Sequence, residues 1–180
     1  MSGRGTLAGL DAADRTLVEA ARDASRNAYA PYSGFAVGAA VRARSGVIYV
    51  GANLENAAYG VVMCGEVGAI TAANTAGDLD IEAIAVVGHR FLPPADAGHV
   101  VTPCGRCRQL ISEAAQLAGT DVRVISCSGD LRQIEQSTIS NLLPAAFGPA
   151  NLGPIHDWPN LQQTLRAAVA KLAHDAPRPA

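Results

Sequence analysis

The chain has 180 residues, 49% of them hydrophobic and 17% charged, and a formal net charge of −2. That length suits one domain burying roughly two-thirds of its unfolded surface, and the composition excludes a disordered chain. The balanced charge, with scattered arginines and Lys171 as the only lysine, excludes the electrostatic footprint of a nucleic-acid binder.

No apolar run of about 18 residues is present, so no membrane-spanning helix is expected. Met1–Leu10 lacks the apolar core of a signal peptide, and a cytoplasmic location is expected. In that compartment Cys64, Cys104, Cys107 and Cys127 stay reduced, which favours metal binding or catalysis over disulfides.

In chain order, residues 11–29 read as an amphipathic helix, with Leu17, Ala20, Ala21, Ala24 and Ala28 at helical spacing and Asp11 as N-cap. Residues 36–44 and 47–53 read as strands of a hairpin turning at Ser45-Gly46. A second helix is expected from Cys64 to Ala76, stopped by Gly77. Ile81–Val87 is a continuous apolar run, the pattern of a strand covered on both faces. Residues 105–118 make a helix ending at Gly119, and Val122–Ser126 a strand. After the turn Ser128-Gly129-Asp130, residues 131–138 are polar and weakly alternating, fit to return antiparallel. This order predicts a mixed α/β sheet with helices on both faces. From about 151 the chain becomes irregular. Pro159 then opens a helix, about 159–174, whose stripe Leu161, Leu165, Ala168, Val169 and Leu172 must dock on something, before a Pro-rich tail.

The chemistry concentrates in Cys64-Gly65-Glu66 and Pro103-Cys104-Gly105-Arg106-Cys107, both where a loop becomes a helix. Cys104 and Cys107, three apart, face the same way on a first helical turn, where the helix end lowers thiol pKa values. Three thiolates give zinc three protein ligands, the complement of a catalytic site, and Glu66 lies close enough to serve the activated water as proton acceptor. The alternatives are a structural zinc with Cys127 as fourth ligand, or cysteines that only pack.

These residues belong to a series. Tyr32-Ser33-Gly34-Phe35-Ala36-Val37-Gly38-Ala39-Ala40, Asn53-Leu54-Glu55-Asn56-Ala57-Ala58-Tyr59-Gly60 and Cys64-Gly65-Glu66 come first. Pro103-Cys104-Gly105-Arg106-Cys107-Arg108-Gln109 and Leu142-Leu143-Pro144-Ala145-Ala146-Phe147-Gly148 follow. In this order the chain resembles the cytidine deaminase family over about residues 15–152. Zinc deaminases carry an H-x-E and P-C-x-x-C signature. A cysteine at the histidine position, as in Cys64, goes with the family's small homotetrameric branch.

The resemblance implies a single-domain, three-layer α/β/α fold with a five-stranded mixed sheet over residues 1–152, and residues 153–180 as an appended extension with its helix. It implies one zinc per chain on Cys64, Cys104 and Cys107, with Glu66 shuttling protons as a pyrimidine nucleoside loses its amino group. It further implies Asn53 and Glu55 as ribose readers, Phe35 as the wall beside the base and the Gly65 backbone at the pyrimidine carbonyl edge. Tyr59 and Phe147 would reach a neighbouring subunit's site in a homotetramer serving pyrimidine salvage. His89 and His99 read as loop residues, and His156 and His174 receive no role.

Two residues depart from the family pattern. Gly65 stands where alanine is common, removing a methyl expected beside the base. Val67 stands where arginine is common, so the net charge of about −1 on three thiolates and Zn²⁺ must be offset by helix dipoles and by Arg106 or Arg108. These departures admit a modified cytosine nucleoside, blasticidin S-like or N4-substituted, as substrate. A catalytically silent zinc module that binds a nucleoside, and nucleic-acid editing, are the rivals from other classes.

Overall fold

The computed structural model describes residues 3–152 and 158–175. By internal contacts the chain forms two compact units, Met1–Ala146 and Phe147–Ala180. The first unit is built on a six-stranded sheet in the order β1-β6-β5-β4-β2-β3. Its strands are β1 (Gly3–Gly5), β2 (Phe35–Ala43), β3 (Ile48–Ala52), β4 (Ile81–Arg90), β5 (Arg123–Ser128) and β6 (Ile134–Thr138). The helices are α1 (Ala12–Ala24), α2 (Gly65–Thr75), α3 (Gly105–Ala118) and the single turn α4 (Ile139–Leu142). β4 and β5 are parallel and every other neighbouring pair is antiparallel, so the sheet is mixed. The expected five-stranded mixed sheet is there. The short β1, which no apolar alternation announces, extends it by pairing with β6.

Strand periodicity sorts the interior into two layers. Val86 of β4 and Val124 of β5 pack with Ala69 and Ala73 of α2 and Ile111 and Ala114 of α3. The alternate residues Ala85, Val87, Ile125 and Cys127 pack with Leu17, Val18 and Ala21 of α1. The three layers are thus α1, the sheet, and α2 with α3. Leu17 and Val18 are fully buried, each worth about 1.5–3 kcal/mol of transfer free energy.

Local signals set most boundaries. The Asp11 side chain accepts from Asp14 N–H at 2.8 Å and starts α1 as expected. The helix stops at Ala24, short of the expected 29, because the Ser25 hydroxyl donates to Arg22 O at 2.6 Å and Ser25–Asn27 tighten into a 3₁₀ turn. That exit lets Tyr29 N–H donate to Asn53 O at 3.0 Å. Gly46, Gly77 and Gly119 take the left-handed conformation (φ 87°, 74° and 64°) at the hairpin turn and the two helix ends. β4 runs to Arg90, beyond the expected Val87, since Phe35–Val37 pair with Gly88–Arg90. His89 is therefore a strand residue, while His99 lies in the loop beside Asp96.

In the second unit, α5 spans Trp158–Asp175, and Leu161, Leu165, Val169 and Leu172 are all more than half exposed. Residues 153–157, with His156, the side chain of His174 and the tail from 176 onward lie outside the described residues.

Candidate active site

Two helix N-termini on one face of the sheet supply the site. Cys64 is the N-cap of α2, with extended backbone (φ −75°, ψ 155°), and Cys104 caps α3 in the same way (φ −68°, ψ 170°). Cys107 follows, buried, in the first turn of α3. A helix start leaves backbone N–H groups without intrahelical partners and favours negative charge, so both ends suit thiolates. Sγ of Cys64 lies 3.8 Å from Sγ of Cys104, which lies 3.6 Å from Sγ of Cys107. All three lie within 4.8 Å of one another. Tetrahedral zinc with Zn–S bonds of about 2.3 Å separates its sulfurs by about 3.8 Å, so the donor set and spacing fit zinc, and three protein donors mark a catalytic rather than a structural ion.

The cluster's electrostatics agree. The Cys64 thiol is drawn down to about 5, first by its hydrogen bond with Cys107 and further by Arg106. Cys107, on the other side of that contact and buried, is pushed up. Three sulfurs this close share negative charge only with a cation among them. Arg106 Nη2 sits 3.9 Å from Cys64 Sγ and donates to Val62 O at 2.8 Å, so it both offsets charge and ties α3 to the loop before Cys64. Arg108 instead donates to Pro103 O and Leu142 O, bracing the loop before Cys104. Of the two arginines expected to replace the missing one, Arg106 is the one that faces the sulfurs.

Glu66, in the first turn of α2, is 4% exposed. Burial is the main cause that raises its carboxyl above the usual range, with the Cys64 charge adding to it. Cys127 lies in β5 among the α1-facing residues, and burial pushes its thiol up to about 12. It is not among the clustered sulfurs, so the four-cysteine structural site is excluded.

Asn53 and Glu55 follow β3, half-buried, and both already hold backbone. Asn53 Oδ1 accepts from Val37 N–H at 2.9 Å and its Nδ2 donates to Phe35 O at 3.0 Å, so the side chain pins the start of β2. Glu55 Oε2 accepts from the N–H groups of Tyr32 and Ser33 at 3.0 and 3.2 Å, and with the Ser33 hydroxyl these hold its carboxyl below the usual range. With Tyr32, Ser33, Asn56, Tyr59 and Val62, Glu55 lines a cavity of about 190 Å³. Phe35 opens β2, half-buried, its ring in the space that Gly88 leaves by lacking a side chain. Tyr59 is 75% exposed and meets Tyr32 edge-on, ring centroids 6.2 Å apart. Phe147 is 61% exposed and belongs to the second unit.

One expectation about Gly65 is overturned. A Cβ on Gly65 would lie 3.2 Å from Val37 O and 3.3 Å from Gly51 O, against the sheet backbone. The reason is geometric: the first turn of α2 rests on β2 and β3, so this vector runs into the sheet. Sequence reading also missed the contacts that place α2, namely Gly51 beneath it and Arg106 across to Val62. Neither carries a motif, because each depends on segments far apart in the chain.

Fold and site together define a zinc-dependent hydrolase: an α/β sheet presenting three thiolates at helix N-termini beside a buried carboxyl group. Residues 11–119 match the family described as the cytidine and deoxycytidylate deaminase zinc-binding region. The chain is 43% identical over 131 residues to a cytidine deaminase of Halalkalibacterium halodurans, covering 73% of this chain and 91% of that one. It is 36% identical over 129 residues to a cytidine deaminase of Mycobacterium tuberculosis, covering 71% and 84%. Among solved structures, the cytidine deaminase of Burkholderia pseudomallei is similar with a TM-score of 0.61 at 35% identity, covering 73% of this chain and 97% of that one. The cytidine deaminase of Mycobacterium tuberculosis gives 0.60 at 33%, covering 77% and 98%. The chain belongs to the cytidine and deoxycytidylate deaminase family.

Proposed function

We propose that the protein hydrolyses cytidine, 2′-deoxycytidine or both to the uridine nucleoside and ammonia, as a step of pyrimidine salvage. The observation that carries this reading is the three-sulfur cluster with the buried Glu66 beside it. Zinc, when bound by Cys64, Cys104 and Cys107, supplies Lewis-acid activation of water at neutral pH. Glu66 accepts a proton from the attacking water and passes it to N3 of the pyrimidine while the oxygen adds to C4. It then carries the second proton to the amino group as the C4–N bond breaks and ammonia leaves. Burial that raises the Glu66 carboxyl suits a group that must both take and return protons.

Phe35 is assigned to the wall beside the base and the Gly65 backbone to the pyrimidine carbonyl edge. Asn53 and Glu55 are assigned to the ribose. Their existing backbone bonds hold them rigid, and rigid readers lose little entropy on binding. Tyr59 and Phe147 are assigned to a neighbouring subunit's site in a homotetramer. Exposed Tyr29, Tyr32, Leu54, Tyr59 and Val61 support association, since apolar side chains gathered at a surface mark interaction sites. A reducing cytoplasm, which keeps four unpaired cysteines as thiols, is the compartment proposed. Among the described residues no helix is long and apolar enough to cross a membrane. The modified-nucleoside alternative drew on a Gly65 methyl position that would open the pocket, and with that vector turned into the sheet it loses this support.

Ammonia release from cytidine, 2′-deoxycytidine and free cytosine tests the reading. The zinc-loaded protein turns over one or both nucleosides and is poor on cytosine, because each ribose hydrogen bond left unmade at the half-buried Asn53 and Glu55 costs about 1 kcal/mol. No ammonia from either nucleoside would overturn the deaminase. Equal rates on cytosine would overturn the ribose assignment.

A further inference from the structure

We propose that Gly51 is a positioning residue for the metal site: its missing side chain sets the height of α2 over the sheet, and so where Cys64 meets Cys104 and Cys107. The proposal rests on the three-thiol zinc reading. Gly51 lies in β3, directly beneath the first two turns of α2. A Cβ there would fall 2.4 Å from Ala69 N, 2.4 Å from Gly65 O and 2.7 Å from Gly68 C. All three are backbone atoms of one helix, which cannot swing aside as a side chain can. The helix meets the strand with a glycine of its own, since a Cβ on Gly68 would lie 3.3 Å from Gly51 Cα.

The consequence follows from how the ligands are shared out. Cys64 caps α2, whereas Cys104 and Cys107 begin α3, forty residues on in the chain. The 3.8 Å separation of Cys64 Sγ from Cys104 Sγ is therefore set by how two separate helices rest on one sheet. Ordinary van der Waals contact begins at 3.4 Å, so any side chain at Gly51 must lift α2 by about 1 Å. Metal–ligand distances tolerate about ±0.2 Å. A shift of that size breaks the ligand geometry although all three cysteines are still present.

The same sheet holds an internal control. A Cβ on Gly38 of β2 would fall 2.0 Å from Ala21 O and 2.5 Å from Ser25 N, beneath α1 on the opposite face, where no ligand resides. Gly38→Ala therefore lifts a helix without touching the site.

The test compares zinc affinity by chelator competition and the visible spectrum of the Co²⁺-substituted protein in the parent, Gly51→Ala, Gly68→Val and Gly38→Ala. Gly51→Ala is expected to bind zinc about 10–100-fold more weakly, the range seen when support around a metal's ligands is lost, and to change the Co²⁺ bands. Gly68→Val wedges the same seam from the helix side, with a smaller loss in the same direction, and carries the test should Gly51→Ala not accumulate folded. Gly38→Ala is expected to lose thermal stability while its folded fraction keeps the parent's affinity and spectrum. Parental affinity and spectrum in folded Gly51→Ala or Gly68→Val would overturn the proposal. So would a Gly38→Ala protein whose zinc affinity falls as far at matched stability. A parent that binds no zinc would remove the zinc reading and Gly51's role together, and is distinguished because the failure precedes any substitution.

Discussion

The two faces of the sheet each bury an acid and a cysteine, and they use them in opposite ways. On the α1 face, Asp14 is 3% exposed and meets Arg42 at 2.9 Å and Arg123 at 2.6 Å, while Arg42 also holds Glu82 at 2.6 Å. On the α2–α3 face, Glu66 is equally buried but has thiols beside it, and its carboxyl is raised. Cys127 on the first face sits among aliphatic side chains; Cys107 on the second has two sulfur neighbours. Burial alone therefore does not mark function. A buried charge held by ion pairs fixes structure, whereas the buried Glu66, with no ion pair among the described residues and with thiols beside it, is the one we propose for proton transfer.

The sharpest way to break this contrast is Glu66→Gln. It keeps shape and burial, so zinc content and melting temperature should stay near the parent's while turnover with cytidine falls by more than ~10²–10⁴, since one group serves several proton transfers. Turnover near the parent's would put Glu66 with Asp14 as a structural acid.

Asp14→Ala should do the reverse. It leaves Arg42 buried with only Glu82, and unfolding in denaturant should show a loss of about 3 kcal/mol, the lower end for a broken buried pair. Zinc content of the folded protein should not change. A loss of zinc at unchanged stability would show the two faces to be coupled.

Cys127→Ser is a milder test of the same boundary. A hydroxyl buried among apolar groups costs about 1–3 kcal/mol, read as a lower melting temperature, while zinc stoichiometry and turnover stay as they are. Loss of metal in a folded Cys127→Ser protein would return the fourth cysteine to the site.

The smallest effect is expected at Gly65→Ala. A methyl added to a pocket changes discrimination by about 1–3 kcal/mol, but this one faces Val37 O and Gly51 O, so the ratio of specificity constants for cytidine and N4-methylcytidine should move by less than ~1 kcal/mol. A larger shift would mean that the residue does border the base.

The site's chemistry was legible in the sequence because it is local. Cys104 and Cys107 share a helical turn, Cys64 and Glu66 stand two residues apart, and caps, glycine stops and alternating apolar residues are short-range consequences of backbone geometry. The same locality made α1 and α5 look alike, each an amphipathic helix with an aliphatic stripe. Only the tertiary structure separates them: Leu17 and Val18 are fully buried, whereas Leu161 and Leu172 are exposed by 53% and 72%. Periodicity gives the stripe but not the depth to which it is buried. Tertiary structure alone also decided that Arg106 rather than Arg108 faces the sulfurs, that Cys127 stands apart, and that Gly65 turns toward the sheet. Each of these depends on the close approach of backbones distant in sequence. Such an approach is set by packing to within an ångström, a precision that residue types and spacings do not encode.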